Sequence, residues 1–238
     1  MFFDDHPEFL ETSDTATSKS RLNMRHLGMI EANADVLRGR SVVDIASHDG
    51  RWSFAALQAG ARSVVGVEGR MSLVKKARAT FEQKGVPADQ YLFLRGDAHR
   101  KVFDKRVEGE VVMCLGFLYH TARYVELMAG IATTGAEYII IDTRVITGVE
   151  GPLVEFQTEG TRADALAIKD RYALGNRVIS ATPSEEALVL MLDAMGYDVD
   201  HRTDWAGLIE AHPEAEDIAQ YKRGTRVTFR ARRRDLTA

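Results

Sequence analysis

Several polar side chains of this chain stand where short apolar runs end. Asp44 closes Ser41-Val42-Val43-Asp44, Glu68 follows Ser63-Val64-Val65-Gly66-Val67, and Asp97 follows the run from Tyr91 to Gly96. Asp142 follows Glu137 to Ile141, and His120 follows the apolar run from Glu110 to Gly116. Carboxylates so placed accept hydrogen bonds from hydroxyls or amino groups, and an imidazole near neutral pH serves as a general base. Asp44 leads into the turn Ala46-Ser47-His48-Asp49-Gly50, then a helical pattern, then Glu68, 18 residues beyond Gly50. That order is a nucleoside-binding β-α-β unit, whose acid at the tip of the second strand accepts from ribose hydroxyls. A dinucleotide pyrophosphate requires G-x-G-x-x-G, where this chain has Ala46-Ser47-His48-Asp49-Gly50-Arg51. Asp49 would also repel a pyrophosphate, so a nicotinamide dinucleotide is disfavoured.

The elements that must hold these groups are legible from periodicity. Apolar spacing predicts a helix from Ser18 to Leu37, closed by Gly39, and helices over 51–59, 71–84, 123–132 and 183–195. Strands are predicted at the five polar-tipped runs, at 197–201 and at 224–230, the last as an edge strand. Alternating strands and helices indicate an α/β fold: a Rossmann-like, seven-stranded, mostly parallel sheet with helices on both faces. Residues 1–40 read as an N-terminal arm and helix, with 1–16 a loose arm, and 41–238 as one domain. Within it, 143–182 carries Gly148, Gly151, Pro152, Gly160 and Gly175 and no repeated strand signal. Such an insertion after strand five is expected to be a lid or substrate segment.

At 238 residues, 45% hydrophobic and 28% charged, the chain can bury a full core without staples. Its single cysteine, Cys114, lies in an apolar run and is expected in the core, in a reducing compartment. No apolar run approaches the ~20 residues of a membrane span. The acidic N-terminus has no signal-peptide pattern, so the expected location is cytoplasmic. A net charge of −4 argues against a general nucleic-acid binder, despite the short basic stretch Arg230-Ala231-Arg232-Arg233-Arg234. His6, His26, His99 and His212 belong to no constellation and are expected at the surface, and Trp52 is expected in the core.

Over about residues 41–230 the chain resembles class I S-adenosylmethionine-dependent methyltransferases. Of that family's turn D-x-G-x-G-x-G, Asp44 and Gly50 match, and Ala46 and His48 replace the first two glycines. Alanine still allows close backbone approach, and histidine tolerates a positive φ. Glu68 matches the acid on the ribose, and Gly96-Asp97-Ala98 the position that meets adenine. Leu115-Gly116-Phe117-Leu118-Tyr119-His120 matches the segment lining the methyl-transfer site. The resemblance implies S-adenosylmethionine as cofactor, held by Asp44, Ala46, Ser47, Gly50, Glu68, Gly69, Asp97, Ala98 and Leu115. Asp44 would sit near its cationic methionine end, and the start of the Arg51 helix near its carboxylate.

Methyl transfer is an in-line displacement, and an oxygen acceptor must also lose a proton. His120 is the expected base. Asp142, also assigned to catalysis, would orient His120, bind a hydroxyl, or hold a Mg²⁺ ion. The acceptor is assigned to Tyr119, Arg144, Glu155 and Trp205. Three of these lie in two loops that also carry Glu159 and Arg162, and Asp204, His212 and Tyr221. Acids, arginines and aromatics suit a hydroxyl-rich ligand. Asn23 or Arg25 of the first helix would reach the cofactor's carboxylate. The chain further resembles saccharide O-methyltransferases of the methylmannose polysaccharide type, and Leu118-Tyr119-His120 resembles enzymes that build the transfer-RNA wobble uridine. The expected function is methylation of a hydroxyl on a sugar or other small molecule. The alternatives are a tRNA-modifying methyltransferase and a cofactor-binding module without catalysis. The expected partner is a small-molecule or saccharide acceptor, not nucleic acid or membrane, with a homodimer allowed.

Overall fold

The computed structural model describes residues 1–12, 18–161 and 170–234. Two short 3-10 turns, Phe2–Asp4 and Pro7–Leu10, precede helices α1 (Lys19–Met29) and α2 (Ala34–Leu37). Then follow β1 (Ser41–Ile45), α3 (Arg51–Gln58), β2 (Ser63–Glu68), α4 (Met71–Gln83), β3 (Tyr91–Arg95), α5 (Ala98–Lys101) and β4 (Val111–Leu115). After a 3-10 turn at Leu118–His120 come α6 (Tyr124–Thr133), β5 (Tyr138–Arg144), β6 (Val154–Gly160), β7 (Arg177–Pro183) and α7 (Glu185–Ala194). The last elements are β8 (Tyr197–Arg202), α8 (Trp205–Ala211), α9 (Ala219–Lys222) and β9 (Arg226–Arg233).

Seven strands form one sheet in the order β3-β2-β1-β4-β5-β9-β8, with β9 antiparallel to both neighbours. The alternation of side chains along buried strands divides the core into two layers. Val42, Val111, Met113 and Ile140 face the layer of α1, α3 and α4. Val43, Val112, Cys114 and Ile141 face the layer of α6 and α7. Helix starts are fixed by side-chain caps: Ser18 accepts from the Arg21 amide, Ser184 from Ala187 and Asp204 from Gly207.

Four expectations are corrected. Residues 1–12 do not form a loose arm, because Phe3 and Phe9 are fully buried, with Phe3 edge-on to Trp52 and Phe9 beside Phe54. The helix predicted from Ser18 to Leu37 breaks after Met29, where the Asn33 side chain donates to the Met29 carbonyl at 2.9 Å. The insertion contains a regular antiparallel ribbon, β6 with β7. Its alternation was masked by flanking glycines and by exposure of both Phe156 and Ile179. Finally, β9 is interior and β8 is the edge. Much of the basic stretch at the chain's end is paired: Arg230 with Asp35 and Asp200, Arg232 with Glu137, and Arg234, just beyond β9, with Asp193.

Candidate active site

The carboxyl ends of the parallel strands open onto a cavity of about 560 Å³. This is the edge where ligands bind in such sheets. Its wall on the β2–β3 side carries Glu68, Gly69, Arg70, Arg95, Asp97 and Ala98. Its centre carries Ala46, His48, Arg51, Leu115, Gly116 and Phe117, and its remaining wall Arg25, Trp52, Tyr119 and His120.

Glu68 is held by two backbone donors. The His48 amide donates to Oε2 at 3.0 Å and the Arg70 amide to Oε1 at 2.8 Å. Each oxygen keeps a further lone pair for a ligand hydroxyl. Asp97 caps α5, accepting from the His99 amide at 3.1 Å and from Nδ1 of its ring at 2.9 Å, and from Arg123 at 2.8 Å. Burial raises its carboxyl, but these partners hold it well below the usual carboxylate range. It is therefore an anion that accepts, beside the apolar surfaces of Ala98, Leu115 and Phe117.

The turn between these walls has φ of +56° at Ala46, +55° at His48 and +81° at Gly50. Two non-glycine residues thus occupy the left-handed region, which costs an alanine about 1–2 kcal/mol. Gly50 does not line the cavity, and a Cβ there would lie 2.9 Å from the Phe93 ring. The turn is braced from outside. Arg51 grips Asp49 with two hydrogen bonds of 2.8 Å, reaches Thr12 at 2.8 Å and lies 3.2 Å from His48 Nδ1. Asp49 is buried and paired, so it presents no free negative charge to the cavity.

At the other wall the insertion supplies an unexpected partner. Glu159 of β6 lies 2.7 Å from Nδ1 of His120, which leaves Nε2 without a partner among the described residues. Burial raises the Glu159 carboxyl, but the bond and charge of His120 bring it below its ordinary value. Behind this wall lies a fully buried carboxylate, Asp142. It accepts from Arg25 at 3.1 Å, from Arg226 at 2.8 Å, from Tyr221 at 2.7 Å and from Thr228 at 2.9 Å. Burial raises Asp142, but Arg226 and Arg25 hold it down at about 2. Tyr119 covers the group, its hydroxyl 3.4 Å from Arg226 and its ring 4.4 Å from the Arg144 guanidinium carbon.

Of the assigned residues, Ala46, Glu68, Gly69, Asp97, Ala98, Leu115, Tyr119 and His120 line the cavity. The others sit elsewhere. Asp44 lies beneath the turn, accepting from Ser53 at 2.6 Å, and burial pushes its carboxyl up to about 7. Ser47 is buried, its amide tied to the Val67 carbonyl at 2.9 Å. Asp142 has no exposed surface and its oxygens are taken by side chains, so it neither orients His120 nor offers itself to a metal. Among the described residues no group of three His, Cys, Asp or Glu side chains could hold a metal ion. Glu155 is exposed on the ribbon and Trp205 is buried against Tyr221, 3.6 Å between ring centroids. Arg144 does not line the cavity, and its guanidinium stacks on the Tyr119 ring. Arg162 lies outside the described residues.

The histidine expectations are also corrected: His99 is buried between Asp97 and Thr121, and His26 is stacked on Phe2. Of the pair Asn23 and Arg25, only Arg25 reaches the cavity, and Asn23 instead accepts from the Phe3 amide at 2.8 Å. Arg226 was not foreseen. Its place inside an alternating strand was the available signal.

No protein-family model and no curated protein matches the chain. Solved structures do. The N-terminal domain of EvdMO1 with SAH bound is 18% identical, over 93% of this chain and 85% of that one, with a TM-score of 0.64. The same domain solved in the presence of SAH and D-fucose gives 18%, 86%, 81% and 0.61. The 1,6-didemethyltoxoflavin-N1-methyltransferase of Burkholderia thailandensis, with bound 1,6-didemethyltoxoflavin and S-adenosylhomocysteine, gives 16%, 93%, 82% and 0.60. An S-adenosylmethionine-dependent methyltransferase from Mesorhizobium loti gives 16%, 83%, 93% and 0.57. The fold is that of the class I methyltransferases. Identities of 16–18% establish architecture and nothing finer.

Proposed function

We propose that this chain is an S-adenosylmethionine-dependent methyltransferase acting on a hydroxyl of a small molecule. The observation that carries this is the pairing of two features in one cavity. Glu68 is presented by two backbone amides, and His120 is presented by Glu159. The cavity suits the cofactor: Glu68 and Asp97 for ribose and adenine, the apolar Leu115 and Phe117 for the base, and a tight turn free of bulky side chains at Ala46. When bound, S-adenosylmethionine supplies a methyl group on a sulfonium, which an acceptor oxygen displaces in line.

The rest is the work of this chain's own side chains. Glu159 fixes the tautomer of His120 with the proton on Nδ1, so Nε2 is the nitrogen that takes the acceptor's proton. Tyr119 and Trp52 wall the space beside it and exclude water. Asp142 acts at a distance by holding Arg25 and Arg226, and no metal enters the scheme. A saccharide hydroxyl is the narrower form of the proposal. It draws support from the D-fucose present with the like-folded EvdMO1 domain. It no longer draws on Glu155 or Trp205, which lie outside the cavity.

The test is a labelled-methyl assay against saccharide, polyphenol and RNA pools, with calorimetry of SAH binding. His120→Ala should keep SAH affinity and lose about 10²–10⁴-fold in turnover. Full activity in that variant would remove His120 as the base, and a folded chain that binds no SAH would remove the methyltransferase reading.

A further inference from the structure

Charge is divided unevenly across the cavity. At the β5 side, Arg25 and Arg226 both bond to Asp142, and all three side chains are buried. Two cations on one anion leave a positive charge without a counter-ion, an arrangement that is costly in a protein interior unless a ligand supplies the anion. The neighbours do not supply it. Tyr221 and Thr228 are neutral, and Glu159 is engaged by His120. Arg21 and Arg144 add positive charge to the same region.

The excess faces the cavity. Arg25 lines it at 8% exposure, and its buried Nε has no hydrogen-bond partner among the described residues. Beside it the wall is Gly116, at φ +89°. A Cβ there would stand 3.1 Å from an Arg226 guanidinium nitrogen and 3.2 Å from one of Arg25. The missing side chain leaves the Arg25 guanidinium reachable from the cavity, with the buried Arg226 directly behind Gly116. Tyr119, whose hydroxyl meets Arg226, closes the other flank.

Resting on the methyltransferase reading, we propose that the acceptor carries an anionic group, a carboxylate or a phosphate, which docks at Arg25 beside Gly116, with the charge of Arg226 behind it, while the cofactor occupies the Glu68 side. Guanidinium forks suit both oxyanions. The cofactor's own carboxylate is the competing occupant. It has a separate candidate seat at the turn on β1, where α3 begins and Arg51 also lines the cavity.

Calorimetry on the intact chain separates these. Protein saturated with SAH is titrated with glucuronate, inorganic phosphate and glucose. Both anions should bind the SAH complex, and glucose at least about tenfold more weakly, in line with a charge-assisted bond. Arg25→Gln should weaken the anions by about tenfold or more while SAH affinity holds. Arg25→Lys, which keeps the charge but loses the planar fork, should also weaken the anions while SAH affinity holds, and carries the test if Arg25→Gln does not fold. Glucose binding as well as glucuronate, or no anion binding, overturns the proposal. So does competition between anions and SAH, or an Arg25→Gln variant that loses SAH but keeps 5′-methylthioadenosine, which lacks the amino-acid carboxylate. If SAH fails to bind while anions bind the free chain through Arg25, the methyltransferase reading falls and the anion site stands.

Discussion

The two ends of the cavity are built on opposite plans. The β2–β3 end is assembled from segments within about thirty residues of each other: Glu68 is held by amides of residues 48 and 70, and Asp97 by its own helix and Arg123. Its acids line the cavity. The β5–β9 end is assembled from segments far apart in the chain, and its acid, Asp142, is sealed behind two arginines. One end presents carboxylates, the other the cations that a carboxylate holds in place. At a strand spacing of about 4.8 Å, the three steps from β2 to β5 span roughly 14 Å, room for two ligands side by side.

This contrast predicts different failures. Asp142→Ala strips the anion from two buried guanidiniums and should destabilise the fold by about 3–5 kcal/mol. Urea unfolding measures this, and an unchanged midpoint would mean that the arginines are solvated. Asp44, beneath the turn that joins the two ends, has a folded pKa raised to about 7. The unfolded carboxyl ionises near pH 3.9, so the stability of the protonated state is full below that pH and is lost as pH rises to about 7. Asp44→Asn should therefore stabilise the chain, by at most about 4 kcal/mol at pH 8, with the gain fading toward pH 4. A gain that does not vary with pH would refute the buried-proton account.

Glu68→Gln belongs to the β2–β3 end. It should lower stability by only about 1–3 kcal/mol, because the Gln NH2 faces one of the two backbone donors, and weaken SAH by about 1.5–3 kcal/mol, the value of a charged hydrogen bond. If it unfolds the protein instead, the two ends are not different in kind. Ala46→Gly is the smallest expected effect. Relief of the left-handed alanine outweighs the added backbone entropy, for a gain of about 0.5–1 kcal/mol in thermal unfolding.

The same contrast explains what was legible in the sequence. The β2–β3 end could be read because buried parallel strands are continuous apolar runs and their tips are marked by acids, as at Val67-Glu68. The turn could be read despite Ala46 and His48, and both do adopt the positive φ that glycine would supply. The β5–β9 end could not be read, because Arg25, Asp142 and Arg226 meet only through the sheet order. Asp142 looked like a catalytic group because strand-end position marks proximity to the site but not the direction in which a side chain is used. Glu159 stood in a stretch dense with glycine, where the ribbon's alternation was hidden. Phe3 and Phe9 were obscured by acidic neighbours, although both are core residues.

The reach of Asp142 also sets an order of assembly. The segment from β1 to α5 contains every residue that holds Glu68 and all but one of those that hold Asp97. Asp142 must wait for Tyr221, Arg226 and Thr228, which lie 79, 84 and 86 residues further on. At ribosomal rates of roughly 5–20 residues per second, that wait is about 4–17 s during synthesis. Through this interval the groups that hold Glu68 are already in place in the chain while Asp142 still relies on water, so the β5–β9 end is the last part of the cavity to become dry.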